Sequence, residues 1–221
     1  MTEPTSSIRP FVIGITGNIA CGKSTVLRWL AEWGAKTIDA DLVYHELIAP
    51  GAPLARQIIA HFGPEIALPN GGIDRRALGA RVFADPHALE ELERLTHPAV
   101  VSRIRELVTS VDADIVAIDA VKLLESSLAS LCDVTWLVVC NQAVQLERLM
   151  TRNKLSREAA LHRIRAQPDP APKMRLVDAV IDNSGSLSET RRQVAEAWDR
   201  ALATRGKRGA SVSSPMDSAR Q

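Results

Sequence analysis

The 221-residue sequence predicts an α/β fold, a five-stranded parallel sheet flanked by helices. Three observations predict it. Short apolar, β-branched runs alternate with segments of helical periodicity along most of the chain. The first such run, Phe11 to Ile15, passes through a glycine-bounded loop straight into a helical stretch, Val26 to Trp33. The second and third runs end in acidic residues, Asp39 and Asp119, and the carboxyl ends of parallel strands are where such sheets bind ligands.

The order strand, loop, helix at the start gives the loop its meaning. Gly17-x-x-x-x-Gly22-Lys23-Ser24 matches a phosphate-binding loop at every fixed position, in the context that motif requires. Glycines let successive backbone N–H groups turn inward around phosphate oxygens, and the helix behind presents its positive end. Lys23 is placed to reach the β- and γ-phosphates, and the Ser24 hydroxyl to ligate Mg²⁺. The motif establishes a bound nucleotide and leaves open what is done with it.

The remaining elements follow in order. Gly34 ends the first helix, and Ala35 to Ile38 is a short strand closing on Asp39-Ala40-Asp41. Two strands joined by one helix make a parallel βαβ unit, so both acids belong on the rim that carries the loop. Leu42 to Ile48 is a helical turn broken by Pro50-Gly51, and Pro53 to Phe62 has helical spacing. Gly63 to Gly72 is loop. Asp74 caps a helix over Arg75 to Phe83, and Asp85-Pro86 starts the next. The apolar spacing from His87 to Val111 suits one long helix or two, with a break or kink expected at Thr96-His97-Pro98. Ile115 to Ile118 and Val134 to Cys140 are the third and fourth strands. A loop and short helix around Lys122 to Glu125 and the following serines lie between them. Gln142 to Met150 is an amphipathic helix, and Ser156 caps another that runs to about Ala166. A proline-dense link, Gln167 to Pro172, leads to a brief helix, Lys173 to Val177. Val180-Ile181 is the last strand, and Leu187 to Leu202 the closing helix. Residues 1–10 are expected to be a loose leader and 204–221 a disordered tail.

Composition narrows the function classes. Twenty-seven Lys and Arg against 26 Asp and Glu give a formal net charge of +1, which argues against nucleic acid as the main partner. No uncharged run is long enough to span a bilayer, and no signal-peptide core precedes Phe11, so a cytoplasmic protein without a membrane partner is expected. The three cysteines have no metal-type spacing. Cys132 and Cys140 read as small core residues, and Cys21 fills a free position of the loop. A helix N-terminus lowers a thiol's pKa, so a redox role for Cys21 is conceivable.

A GTP switch would need Asp-x-x-Gly early and Asn-Lys-x-Asp late. Here Asn153-Lys154-Leu155-Ser156 lacks the last acid, and Asp182 to Gly185 follows it, so the order is wrong. A small-molecule kinase needs an acid near the loop to accept an alcohol proton, and a cationic lid that excludes water. Asp39 and Asp41 supply the first, and the arginine-rich segment Arg148 to Arg165 the second. The architecture is then a phosphate-loop kinase domain over 11–203. A nucleoside or nucleotide kinase and a regulatory ATPase are the competing readings.

The ordered set of motifs resembles the dephospho-CoA kinase family. It comprises Thr16 to Thr25, Ile38-Asp39-Ala40-Asp41, Asp74-Arg75-Arg76-Ala77-Leu78, Leu95-Thr96-His97-Pro98, Arg152 with Ser156-Arg157-Glu158, Arg163-Ile164-x-x-Gln167, and Val180 to Gly185. The resemblance implies a helical acceptor-binding region over about 42–110, a lid over about 148–176, and transfer of the ATP γ-phosphoryl group to the ribose 3′-hydroxyl of dephospho-CoA with Mg²⁺; a monomer or weak homo-oligomer is expected. It implies Asp41 as general base, assisted by Lys23 and Arg152. ATP would be held by Gly17, Asn18, Ile19, Ala20, Cys21, Gly22, Lys23, Ser24 and Thr25, with Arg148 and Arg152 from the lid. Acceptor contacts are expected from Asp39, Arg75, Arg76, His97, Lys122 and Arg163. Asp41 also stands where an N-cap for the helix at Leu42 is expected, His97 has a structural alternative, and Arg75 and Arg76 can be solvated surface. The chain departs from the family's Asp-Val-Pro-Leu-Leu-x-Glu at Asp119-Ala-Val-Lys122-Leu-Leu-Glu125, where a lysine appears and a proline is lost.

Overall fold

The computed structural model describes residues 9–212, and side chains as far as 206. Five strands, β1 (Phe11–Thr16), β2 (Lys36–Asp39), β3 (Ile115–Asp119), β4 (Val134–Val139) and β5 (Ala179–Asp182), form one parallel sheet in the order β2-β3-β1-β4-β5. All six residues of the central strand β1 are buried, as expected for a parallel strand covered on both faces. Alternate residues divide between two cores. Phe11, Ile13, Ile15, Trp136, Val138 and Ile181 pack on one face with α1 (Lys23–Glu32) and α8 (Leu187–Val212). Val12, Val116 and Ile118 pack on the other with α2 (Ala40–Leu47) and the second half of α5 (Pro86–Ser110).

Two smaller clusters extend this base. α3 (Pro53–Phe62), α4 (Arg75–Ala84) and the first half of α5 bury Leu54, Ile58, Phe62 and Leu78 in a helical satellite beside the β2 edge. α6 (Gln142–Asn153) and α7 (Arg157–Arg165) close Leu146, Leu149 and Ala160 over Ile19 and Ala20 of the phosphate loop. The lid segment thus shares a core with the loop it is expected to cover.

The structure decides one open expectation and differs from two others. α5 runs through Pro98 as one continuous helix. The two halves are anchored to different cores, with Leu92 and Leu95 in the satellite and Val100, Val101 and Ile104 on the sheet. The buried Thr96 hydroxyl donates to the Leu92 carbonyl at 2.8 Å, and packing outweighs the one N–H donor that proline removes. α8 continues to Val212 instead of ending near 202; the rest of the expected tail, 213–221, lies outside the described residues, as do 1–8 of the leader. Arg9, placed in the loose leader, is tied down: its guanidinium donates to the Leu131 carbonyl at 2.9 Å and to Asp133 at 2.7 Å.

Candidate active site

The phosphate loop is held from three sides. Gly17 stands at φ +152°, and a Cβ there would lie 2.3 Å from the Val138 carbonyl oxygen of β4, so only glycine fits. Gly22 stands at φ +96°, where a Cβ would lie 2.0 Å from Asn183 Nδ2. Ala20 takes φ +59°, a left-handed conformation that costs a non-glycine residue about 1 kcal/mol or more and persists where the surroundings enforce it. α1 starts at Lys23 with no side-chain cap; the Thr25 N–H turns back to the Gly22 carbonyl at 3.0 Å, and the uncapped helix start suits an anion.

Asn183, just past β5, is the main clamp and was missed in the sequence, where Asp182-Asn183-Ser184-Gly185 reads as a turn. It is buried; its Nδ2 donates to the Cys21 carbonyl at 2.8 Å, and its Oδ1 accepts from the Thr190 hydroxyl at 2.9 Å. Arg148 bridges the same groups, with one amino nitrogen 3.0 Å from the Asn183 carbonyl and the other 3.5 Å from that of Cys21. Buried Gln145 donates to the Ile19 carbonyl at 2.8 Å, and Gln167 accepts from the Ile19 N–H at 2.8 Å. The proline link after Gln167 is drawn over the loop as well, since Asn18 donates to the Pro168 carbonyl at 3.1 Å. Lys173, at the end of that link, pairs with Glu125 at 2.6 Å.

Lys23 rests inside the loop it will serve, its ammonium 3.0 Å from the Gly17 carbonyl and 3.9 Å from Asp119 Oδ1. The β1–β3 register, which sets Ile15 opposite Asp119, delivers this contact. Asp119 was read as a strand end and as the first acid of the family segment that follows it, without a role at the loop. Its Oδ1 is buried without a hydrogen-bond partner. Burial, reinforced by the nearby Asp39 and Asp41 carboxylates and opposed by Lys23, raises its pKa from 3.8 to about 6. The donor chemistry here, one carboxylate with the Ser24 hydroxyl, suits Mg²⁺, which takes one or two protein oxygens and completes its shell with phosphates and water. No group of three or more His, Cys, Asp or Glu side chains suited to a metal occurs among the described residues.

This has a measurable consequence for stability. The folded-state pKa of Asp119 lies above the unfolded value, so the folded chain keeps a proton that the unfolded chain has lost. Stability therefore falls as pH rises from about 4 to about 6, and the full cost, about 3 kcal/mol as an upper figure, persists above that range. Asp119→Asn is expected to raise Tm by several degrees at pH 7.5 and to leave it unchanged near pH 4. Thermal melts of the nucleotide-free protein at the two pH values check this, and equal gains at both would contradict it.

Asp39 and Asp41 divide their expected roles. Asp39 is the N-cap of α2, its Oδ1 accepting from the backbone N–H of Asp41 at 2.8 Å and of Leu42 at 3.2 Å. The capping role considered for Asp41 therefore falls to Asp39, and the exposed Asp41 carboxylate faces a cavity of about 320 Å³. Tyr44, Thr96, His97, Val100, Ala120 and Lys122 line the same cavity, so three expected site residues from three elements converge there. Lys122 is paired with Glu93 of α5. Arg75 and Arg76 are exposed on α4 and outside the cavity lining, although the Arg75 charge acts on Tyr44. Of the lid arginines, Arg148 meets the phosphate loop. Arg152 is exposed and bonded to Asn153 at 3.1 Å, and Arg163 is exposed on α7.

A parallel sheet whose central strand feeds a phosphate loop, with a cavity lined by Asp41 on one side and a cationic helical pair over the other, defines a phosphate-loop phosphotransferase. A family model described as dephospho-CoA kinase matches residues 11–189. The chain belongs to the dephospho-CoA kinase family. It is 46% identical to the dephospho-CoA kinase of Geobacter metallireducens, over 85% of this chain and 94% of that one. With that of Carboxydothermus hydrogenoformans the identity is 44%, over 83% and 90%. Among solved structures, a Thermus thermophilus protein superposes with a TM-score of 0.75 at 34% identity, covering 88% of this chain and 97% of that one. The dephospho-CoA kinase of Campylobacter jejuni superposes with a TM-score of 0.62 at 28% identity, covering 89% and 98%.

Proposed function

We propose that the protein transfers the γ-phosphoryl group of ATP to the ribose 3′-hydroxyl of dephospho-CoA, releasing CoA and ADP. The observation that carries this reading is the shared rim: the Asp41 cavity abuts Ala120 and Val121, the residues directly after Asp119, which in turn faces Lys23 of the phosphate loop. An alcohol held against Asp41 is thereby brought beside the terminal phosphate of a nucleotide in the loop, and holding reactants in line supplies much of the rate in phosphoryl transfer.

Asp41 accepts or orients the hydroxyl proton, Lys23 neutralises charge on the transferring group, and the loop N–H groups hold the β-phosphate. Arg148 is placed to sense the nucleotide through Cys21, and Arg152 and Arg163 stand ready to close from α6 and α7. His97 and Lys122 present hydrogen-bonding and cationic groups to an acceptor that itself carries phosphates. Ser24 and Asp119 would hold Mg²⁺, which would offset negative charge on the phosphates. No helix among the described residues is long and apolar enough to cross a membrane, and we place the protein in the cytoplasm. The large exposed apolar side chains Leu42, Phe83, Leu176 and Leu187 sit on four separate segments, which supports a monomer or weak homo-oligomer.

A coupled ADP-release assay tests the reaction. Dephospho-CoA is expected to stimulate ADP formation strongly over water, nucleosides and nucleoside monophosphates. Equal ADP release without any acceptor would replace the kinase by an ATPase, and stimulation by a nucleoside instead would reassign the cavity.

A further inference from the structure

Cys21 and Cys140 are 119 residues apart in sequence, yet their sulfurs lie 3.3 Å apart, with the Cys140 thiol donating to Cys21 Sγ. Cys21 is a residue of the phosphate loop itself; Cys140 is the first residue beyond β4. We propose that Cys21 and Cys140 form an oxidative modification site, at which a peroxide converts the pair to a disulfide that pulls the phosphate loop toward the end of β4 and reversibly stops turnover.

The environment divides the two roles. Hydrogen bonding from Cys140, with the Lys23 and Arg148 charges assisting, holds the Cys21 thiol below its ordinary pKa despite burial. The same contact, with burial, pushes Cys140 up, so it keeps its proton. Cys21 therefore supplies the thiolate, the reactive form. In the first step its sulfur attacks one peroxide oxygen and the O–O bond breaks. The departing hydroxide takes up a proton as water, leaving Cys21 a sulfenic acid. In the second, the Cys140 sulfur attacks Cys21 Sγ, the S–O bond breaks, and the hydroxyl leaves as water with the Cys140 proton. Two thiols lose two electrons in all, and one peroxide is reduced to two waters. Cys21 is 3% exposed, which favours an oxidant as small as a peroxide over a bulky disulfide.

The mechanical consequence follows from bond length. A disulfide spans about 2.05 Å, so the sulfurs must close by more than about 1 Å. The Cys21 carbonyl is already fixed by Asn183 and Arg148. The displacement falls on the loop backbone between the strained Ala20 and Gly22, whose N–H groups must hold phosphate oxygens. A shift of that size in a positioning element commonly costs on the order of 10²-fold in rate. Cys132, whose pKa burial pushes up to about 12, takes no part in the pair and serves as an internal control.

The full-length protein is treated with hydrogen peroxide, then assayed by intact mass, peptide mapping, thiol titration and turnover. The expected product is about 2 Da lighter, has lost two of its three titratable thiols and yields a peptide linked from Cys21 to Cys140. Turnover falls at least about tenfold and returns with dithiothreitol. Cys140→Ser, or Cys140→Ala as a second variant, is expected to gain about 16 Da instead of losing 2, while Cys132→Ser behaves as the unaltered chain. Mass and thiol counts need no acceptor, so they stand or fall apart from the assigned reaction. Three thiols that survive peroxide, a cross-link that includes Cys132, or a Cys21–Cys140 disulfide with full turnover would each overturn the proposal.

Discussion

Lys23→Ala is expected to lower kcat by about 10²- to 10³-fold at saturating ATP, the range seen when one donor aimed at transition-state charge is removed. Lys23 is mostly buried between the Gly17 carbonyl and Asp119, so its ammonium is already positioned within the loop before nucleotide arrives. The loop N–H groups and Arg148 remain in the variant, and ground-state binding of ATP should suffer less than the chemical step. A second loss accompanies the first. The Lys23 charge partly offsets the rise in the Asp119 pKa, so its removal leaves more of Asp119 protonated at neutral pH and weakens any cation site there. The two effects share one contact, and Lys23→Ala combined with Asp119→Asn should therefore cost less than the product of the single losses. Single-turnover rates at saturating ATP decide the matter. An unchanged rate with a raised KM would make Lys23 a binding residue only.

The phosphate loop was legible because local sterics fix its residue types, and Lys23 and Ser24 follow from the same pattern. What holds the loop was not legible. Gly17 must be glycine because of the Val138 carbonyl and Gly22 because of Asn183, contacts across more than 120 residues that no spacing rule reports. Asp119 was visible as an acid at a strand end, but its approach to Lys23 depends on β3 pairing with β1, a strand order hidden from local pattern. The Cys21–Cys140 contact is hidden in the same way, since each cysteine alone reads as core or filler. Pro98 shows where local rules stop short: they left one helix or two with a break or kink, and the structure has one continuous helix whose two halves are gripped by different cores. The strands β1, β3 and β4, by contrast, stood out because each is a short, apolar, β-branched run.

Asp41→Asn is expected to lower kcat by about 10²- to 10⁴-fold, the loss associated with a positioned acid–base group, while the ATP Kd stays within about twofold because Asp41 lines the cavity beside the phosphate loop and not the loop itself. The structure makes this substitution unusually easy to interpret. Asp39 Oδ1 accepts the two N–H bonds that cap α2, so the variant keeps the cap and loses only a carboxylate charge in the first turn, worth about 0.3–1 kcal/mol to the helix dipole. Asp39→Ala supplies the opposite case: it should cost about 1 kcal/mol of stability through the lost cap, with a smaller fall in kcat that follows from a loosened α2. Thermal melts, ATP titration and steady-state rates on both variants separate chemistry from folding. A near-normal kcat for Asp41→Asn would remove that carboxylate from the reaction. A drop in its Tm as large as that of Asp39→Ala would assign the lost activity to the helix.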